Sequence, residues 1–245
     1  MLFEGQKEYW GRWCPFVPIS DRNSCWRICL RTSAPDPDAA PFRGWKIVWF
    51  FGVPIARALA YVGWRLRVVR EAPLPSGPLV IATNHLSHLD GPMVAVAIGR
   101  PIRFLAVDGL WGVHRWLNAV LYLIGPIPLS RDRPPLGAMK TSIRHLRSGG
   151  AIGIFPEGGV TSEWGSVEPH PAAASLSLRT GAPLIPVAVS GTDLAYGLGA
   201  TRVRRSRVQV TVGSPIEPGD FREVEEAASA MMSAWTEWVS GALGD

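Results

Sequence analysis

Cysteine is scarce in this chain, and the three present, Cys14, Cys25 and Cys29, all lie within the first 30 of 245 positions. They are too few and too local to form a disulfide framework, so a reducing compartment is the default expectation. Charged residues are also sparse, at 18%. Because 47% of the residues are hydrophobic and 11 are Trp, the composition excludes disorder over most of the chain. It favours a protein that meets lipid or a large apolar ligand.

Motifs of several enzyme classes are missing. The chain has no Gly-x-Ser-x-Gly, no Walker lysine and no Gly-x-Gly-x-x-Gly, which removes the usual hydrolase and nucleotide-binding signals. Residues 1–42 include Pro35-Asp36-Pro37-Asp38, which breaks helical and strand periodicity alike. We predict that residues 1–42 form a poorly structured N-terminal extension.

Residues 43–70 have no negative charge, but they have six Lys or Arg residues and three Trp. Their longest apolar run, residues 47–56, is ten long and contains Pro54, whereas a membrane-spanning helix needs about 20 apolar residues. Flanking cations and Trp at the ends are typical of monotopic helices that lie at the bilayer surface. We therefore predict a membrane-interfacial pair of helices on the cytoplasmic face. An ordinary core helix is the alternative.

Residues 71–245 alternate short apolar runs with longer amphipathic segments, which indicates one α/β domain. The predicted strands are Leu79–Thr83, Ile102–Val107, Ile127–Leu129, Ala151–Phe155, Leu184–Ser190 and Val208–Val212. The predicted helices are Gly91–Ile98, Leu110–Ile124, Leu136–Arg147, Ala172–Arg179 and Phe221–Ala242.

Polar residues crowd the end of the strand Leu79–Thr83, where Asn84 and His85 are followed by Asp90. On a continuous helix His85 and Asp90 would lie about 140° apart, so they can pair only if a turn separates them. Ser87 can supply that turn as a helix N-cap, with Asp90 three positions into the helix. A simple capping box beside a partly buried histidine is the alternative interpretation.

Four blocks in this order carry a family resemblance: Asn-His-x-Ser-x-x-Asp at 84–90, Gly-x5-Arg at 125–131, Phe-Pro-Glu-Gly at 155–158 and the Pro-rich strand at 183–189. With them, residues 44 to 215 resemble the glycerolipid (PlsC-like) acyltransferases. The resemblance implies a single mixed-sheet α/β domain flanked by helices and preceded by the interfacial segment. It also implies an O-acyltransferase of phospholipid biosynthesis that moves a fatty acyl chain from acyl carrier protein or acyl-CoA to the hydroxyl of a lysophospholipid such as 1-acylglycerol-3-phosphate.

The resemblance also assigns roles to single residues. His85 would be the general base, and Asp90 would orient its ring; this agrees with the chemistry, because an attacking alcohol must lose its proton and histidine titrates near neutral pH. Asn84 and Ser87 would bind substrate, while Arg131, Glu157 and Gly158 would lie at the acceptor site. We expect the donors for the thioester oxyanion among backbone N–H groups near Ser87 or Gly158. Neither a metal nor a cofactor is expected.

Two places depart from the family pattern. Val107-Asp108 stands where Lys is common, and Gly159-Val160 replaces Thr-Arg. Both changes remove a cation expected to hold the acceptor phosphate, so its binding should weaken. A related enzyme with a glycolipid or amino-acid lipid acceptor, or a member that has lost catalysis, remains open.

Two other functional classes have partial support in the sequence. His85, His88 and Asp90 could be ligands of a metal-dependent hydrolase, but the His-x-His-x-Asp-His pattern would need histidines at positions 86 and 91, which are Leu86 and Gly91. The basic run from Arg202 to Arg207 could contact nucleic acid. Because it precedes an alternating strand, a solvated strand entrance or a lipid-headgroup contact is favoured, and no nucleic acid partner is expected.

Overall fold

The computed structural model describes residues 45–111, 121, 124–130, 135–220 and 224–244, all within one compact unit, Ser33–Asp245. The predicted extension 1–42 lies outside the described residues. Most of the predicted helix Leu110–Ile124 does too, although a 3-10 turn, Asp108–Leu110, precedes it.

A seven-stranded mixed sheet forms the centre of the fold, with the strand order β1-β7-β6-β2-β5-β3-β4. All neighbours are parallel except β6 and β7. The sheet confirms the predicted fold class. The strands are β1 (Arg67–Arg70), β2 (Leu79–Thr83), β3 (Ile102–Val107), β4 (Ile127–Leu129), β5 (Ala151–Ile154), β6 (Leu184–Ser190) and β7 (Gln209–Val212).

Helices cover both faces of the sheet because strand residues alternate between them. In β2, Ile81 packs with residues of α1 (Trp45–Trp64) and α2 (Asp90–Ile98), whereas Ala82 packs with residues of α3 (Leu136–Arg147), α4 (Ala172–Thr180) and α6 (Val224–Leu243). On the second face the indole of Trp235 is fully buried and donates to the carbonyl of Ala82 at 3.0 Å. The fold also has a short helix, α5 (Thr192–Tyr196).

The segment predicted as an interfacial helix pair is only partly helical. It forms one helix, α1, which contains Pro54, and then the edge strand β1, so the prediction of a second helix is wrong. Arg65, at a φ of 47°, stands in the left-handed region that commonly follows a helix end. The adjacent Val68 and Val69 favour extended backbone, and β7 offers them a free edge to pair with.

Helix α1 has one buried and one exposed apolar face. Trp49 and Ala60 are buried against the sheet side. The opposite face exposes six large apolar side chains, each more than 60% accessible: Ile47, Phe50, Phe51, Ile55, Leu59 and Val62. Among the helices described, none combines the length and the hydropathy that crossing a bilayer requires.

Candidate active site

The polar residues singled out in the sequence meet where three central strands end. Parallel strands β6, β2 and β5 are neighbours in the sheet, so their carboxyl ends share one edge. His85 follows β2, Glu157 follows β5 and Thr192 follows β6. Crevices at this edge are the usual location of ligand sites in open α/β sheets.

His85 and Asp90 are in contact: Nδ1 of the imidazole lies 3.0 Å from Oδ2 of the carboxylate. A tight turn brings them together, since the amide of Asp90 donates to the carbonyl of Ser87 at 3.1 Å. The same Oδ2 accepts the amides of Leu86 at 2.8 Å and of Ser87 at 2.7 Å. The carboxylate therefore satisfies backbone donors in the turn before α2 and also fixes the imidazole tautomer, with the proton on Nδ1.

Ser87 is not the helix N-cap that the sequence predicts. Helix α2 begins at Asp90, and Leu89 occupies the N-cap position without a side-chain cap. The hydroxyl of Ser87 instead donates to the carbonyl of Tyr196 at 2.6 Å and accepts the amide of Leu89 at 3.1 Å. The Asp90 carboxylate accepts the amides of Leu86 and Ser87, which precede the helix, so it stabilises the turn rather than capping the helix.

Thr192 completes the surroundings of the carboxylate, and the sequence analysis missed it. Its hydroxyl donates to Oδ1 of Asp90 at 2.5 Å. Both side chains are fully buried, so this bond satisfies the last oxygen of a desolvated carboxylate. The available signal was positional: Thr192 lies two residues after the end of β6, at the edge where His85 lies.

His85 is held from the side of β5 as well. Its ring stacks on Phe155, with a centroid distance of 3.8 Å and an interplanar angle of 21°. Its amide donates to Oε1 of Glu157 at 3.1 Å, and its carbonyl accepts the amide of Thr161 at 2.8 Å. The imidazole keeps 16% of its surface exposed, so Nε2 is the nitrogen left for a reactant.

Asn84 and Ser87 do not fit the substrate-binding role predicted for them. Both are fully buried. The amide of Asn84 donates to the carbonyl of Val189 at 2.9 Å and accepts its N–H at 2.7 Å, which continues the pairing of β2 with β6 beyond the strand end. Because the polar atoms of both side chains are occupied, we assign Asn84 and Ser87 as positioning residues.

Glu157 is 7% exposed, and its Oε2 has no hydrogen-bond partner among the described residues. Burial raises the pKa of Glu157 to about 7, and the nearby charge of Asp90 acts in the same direction, against the hydrogen bonds that the carboxylate accepts. The next residue, Gly158, is exposed with a φ of 73°, a conformation that favours glycine. An acceptor-binding role for both stays a prediction.

Two of the amides in the expected oxyanion regions are engaged within the protein. The amide of Ser87 donates to Asp90, and that of Gly158 donates to the carbonyl of Phe155 at 3.0 Å. The expectation that neighbouring N–H groups near Ser87 or Gly158 stabilise the oxyanion stays a prediction. Arg131 lies outside the described residues.

The two departures from the family pattern occur at the same sheet edge. Asp108 follows β3 directly, and Val160 is half-buried in the loop after β5. Between Arg147 and Arg179 the chain has no Lys or Arg. Within the ranges that the structure covers, no group of three or more His, Cys, Asp or Glu is arranged to hold a metal.

A histidine oriented by a buried carboxylate, at the carboxyl edge of a mixed α/β sheet, is typical of enzymes that use general-base catalysis. Comparison with known proteins gives the particular family. The family model described as Acyltransferase matches residues 65–190, which is just over half of the chain. The chain belongs to this acyltransferase family and is an acyltransferase.

Two curated relatives and one solved structure illustrate the similarity. The chain is 30% identical over 165 residues to 1-acyl-sn-glycerol-3-phosphate acyltransferase of Bacillus subtilis, covering 66% of this chain and 79% of that protein. It is 27% identical over 152 residues to the chloroplastic enzyme BAT2 of Brassica napus, covering 60% of this chain and 43% of that protein. The crystal structure of the 1-acyl-sn-glycerophosphate acyltransferase PlsC from Thermotoga maritima has the same fold, with a TM-score of 0.62 at 19% identity, covering 82% of this chain and 83% of that one.

Proposed function

We propose that this acyltransferase moves a fatty acyl chain from acyl carrier protein or acyl-CoA to the hydroxyl of a lysophospholipid such as 1-acylglycerol-3-phosphate, in phospholipid synthesis. The observation that carries the proposal is the 3.0 Å contact between His85 Nδ1 and the buried Asp90 carboxylate. The curated relatives are named for this reaction, which supports the acceptor class. The reaction needs neither a metal nor a cofactor.

The chemistry follows from the orientation of the imidazole. Nε2 of His85 takes the proton of the acceptor hydroxyl as its oxygen attacks the thioester carbonyl. The tetrahedral intermediate collapses, the carbon–sulfur bond breaks, and the thiolate takes the proton back from the imidazolium. The Asp90 carboxylate stabilises the imidazolium, while Phe155 keeps the ring plane fixed. No covalent acyl-enzyme is formed.

His85→Ala tests the general base. With radiolabelled acyl-CoA and acyl carrier protein as donors, we expect kcat to fall by about 10²–10⁴-fold, the usual contribution of a general base. His88→Ala is the matched control, because its exposed ring makes no hydrogen bond to Asp90 among the described residues. Wild-type turnover by a folded His85→Ala variant overturns the assignment, and an equal loss in both variants favours the metal-ligand alternative.

The exposed face of α1 supports a second part of the proposal, a monotopic attachment to the cytoplasmic face of a membrane. Transfer of its six exposed apolar side chains from water to the acyl-chain region of a bilayer is favourable. Phe50→Ser with Phe51→Ser should release the protein from phospholipid vesicles in a flotation assay. Leu136→Ser is the control, since Leu136 is 75% exposed on another helix. Equal release by the control contradicts an attachment through α1.

An acceptor without phosphate is the second candidate. Asp108 and Val160 stand at the sheet edge where cations were expected, and the surrounding segment between Arg147 and Arg179 has no Lys or Arg to replace them. A phosphate in a partly dry pocket needs several charge-assisted hydrogen bonds. Acyl transfer onto a panel of lysophosphatidic acid, glycolipid and amino-acid lipid acceptors separates the two candidates. Transfer to lysophosphatidic acid alone rejects the second, and transfer to none of them indicates a member without catalysis.

A further inference from the structure

Residues 197–207, between α5 and β7, contain four arginines and no acidic residue. We call this segment the arginine loop. Arg202, Arg204, Arg205 and Arg207 are all exposed. No described residue forms an ion pair with any of them. Their charge is therefore available to an anionic partner outside the chain.

The arginine loop also exposes large apolar side chains. Leu198 is 48% exposed and Val203 is 56% exposed, and Leu194 in the preceding helix α5 is 69% exposed. Apart from α1, few described elements leave side chains of this kind in water. Arginines interleaved with exposed aliphatic residues are suited to a bilayer surface, where the cations meet anionic headgroups and the apolar groups reach the acyl boundary.

Hydrogen bonds attach the arginine loop to the catalytic turn. The hydroxyl of Ser87 donates to the carbonyl of Tyr196 at 2.6 Å, and Ser87 also forms a β-bridge with Gly197. Further along, the amide of Arg204 donates to the carbonyl of Ala195 at 2.8 Å. The loop is thus fixed to the turn that carries His85, two residues before Ser87.

The arginine loop also meets the end of α1. The indole N–H of Trp64 donates to the carbonyl of Arg204 at 3.1 Å, and the amide of Val208 donates to the carbonyl of Trp64 at 3.0 Å. Val62, two residues before Trp64, is 75% exposed and belongs to the apolar face of α1. Arg65, which follows the helix, is exposed and adds another positive charge at this junction. The arginine loop therefore contacts the same end of α1 that the apolar face reaches.

We propose that the arginine loop is a second membrane contact, which seats in the headgroup layer of an anionic phospholipid bilayer and holds the catalytic turn at the bilayer surface. This inference rests on the membrane attachment through α1 proposed above. Helix α1 by itself attaches the protein to the lipid. The arginine loop determines which side of the sheet faces the bilayer. The anionic headgroups supply the charge complementarity, and the neighbouring apolar face of α1 favours a lipid surface over an acidic protein.

The test uses the full-length chain and vesicles of phosphatidylcholine, with or without phosphatidylglycerol. The combined variant Arg202→Ser, Arg204→Ser, Arg205→Ser should bind anionic vesicles about 100-fold more weakly, because each basic residue near an anionic surface contributes about a factor of five. Its binding to pure phosphatidylcholine should not change. The control removes three exposed cations from α3 and α4 with Lys140→Ser, Arg147→Ser and Arg179→Ser, and should bind as the wild type does.

Three further outcomes decide the proposal. Leu198→Ser with Val203→Ser should weaken binding in high salt, where the arginines are screened. Wild-type vesicle binding by the arginine variant overturns the proposal. If the same variant also has a raised KM for acyl carrier protein but not for acyl-CoA, the arginine loop docks a carrier protein instead. Equal weakening by the control overturns it too, since it indicates a general effect of charge. Vesicle binding is measured without turnover. Absence of acyl transfer by the wild-type enzyme would therefore contradict the proposed function without affecting this test of membrane binding.

Discussion

The hydroxyl of Thr192 donates a hydrogen bond to the carboxylate of Asp90 across 102 positions of sequence, at a distance of 2.5 Å. The bond joins the end of β6 to the start of α2, so two separate connections of the sheet determine where the carboxylate lies. Since Oδ2 of Asp90 is shared by the imidazole of His85 and two amides, Oδ1 has Thr192 as its donor. Thr192 is thus a positioning residue for the base.

Thr192→Val keeps the shape of the side chain and removes the donor. We expect kcat to fall about tenfold with an unchanged KM, because a hydrogen-bond partner that orients a reactive group through another side chain commonly contributes a factor of 10–100. The buried Oδ1 left without a donor should also lower the free energy of unfolding by about 1–3 kcal/mol. Thr192→Ser should restore kcat. If Thr192→Val changes stability but leaves kcat at the wild-type value, the residue is structural only.

Asp90→Asn keeps the size of the side chain and removes its charge. An asparagine can place its carbonyl toward His85 and its NH₂ toward Thr192, so the fold should survive while the imidazolium loses its counter-charge. We expect a decrease in kcat of about 10²–10⁴-fold, in the range seen when a catalytic histidine loses its carboxylate. Steady-state kinetics and circular dichroism check the two halves of this prediction. A variant that is folded and fully active would show that the charge of Asp90 does not act in the reaction.

Glu157 makes stability depend on pH. Its pKa is raised from 4.5 to about 7 in the folded protein, chiefly by burial, so the folded state holds the proton more tightly than the unfolded state. The free energy of unfolding should therefore fall between pH 4.5 and pH 7, by up to about 3 kcal/mol, and change little from this group above pH 7.

Glu157→Gln should remove that decline, and urea unfolding of both proteins over this pH range measures the difference. The two curves should diverge most steeply below pH 7. If they stay parallel over the whole range, the carboxyl is ionised in the folded protein at acidic pH and the assigned burial effect is absent.

Val160→Arg restores the cation that the family pattern places after the Pro-Glu-Gly turn. If the acceptor phosphate binds there, the KM for 1-acylglycerol-3-phosphate should fall about tenfold, which is the effect of one charge-assisted hydrogen bond. Val160→Gln, with a long but neutral side chain, is the control. An equal fall in KM for a glycolipid acceptor would show that position 160 does not contact the phosphate.

The parts of the fold that follow from local pattern could be predicted from the sequence. Strands β2, β3, β4 and β6 have the predicted bounds, since each is a short apolar run. Strand β1 was predicted to be helical because its two valines continue the apolar and basic pattern of the preceding residues, and only pairing with β7 makes Arg67–Arg70 extended. Tertiary partners, rather than propensity, decided that element.

The candidate site likewise has parts that local sequence predicts and parts that only tertiary contacts determine. The turn between His85 and Asp90 follows from their spacing and chemistry, but Thr192 is 102 positions from Asp90 and no local pattern connects them. Asn84 and Ser87 were predicted to bind substrate because they belong to the Asn-His-x-Ser-x-x-Asp block of the family and lie at a strand end, where ligands often bind. Their backbone partners, Val189 and Tyr196, become neighbours only when β6 and α5 pack beside β2.

Glu157 and Thr161 both bond the backbone of His85, one to its amide and the other to its carbonyl. These hydrogen bonds therefore fix both ends of the three-residue segment between Glu157 and Thr161. Within it, Gly158 is constrained by its φ of 73°. That leaves positions 159 and 160 as the part of the loop that can vary without displacing the imidazole. A library that randomises those two codons is the most economical starting point for redirecting this enzyme to new headgroups.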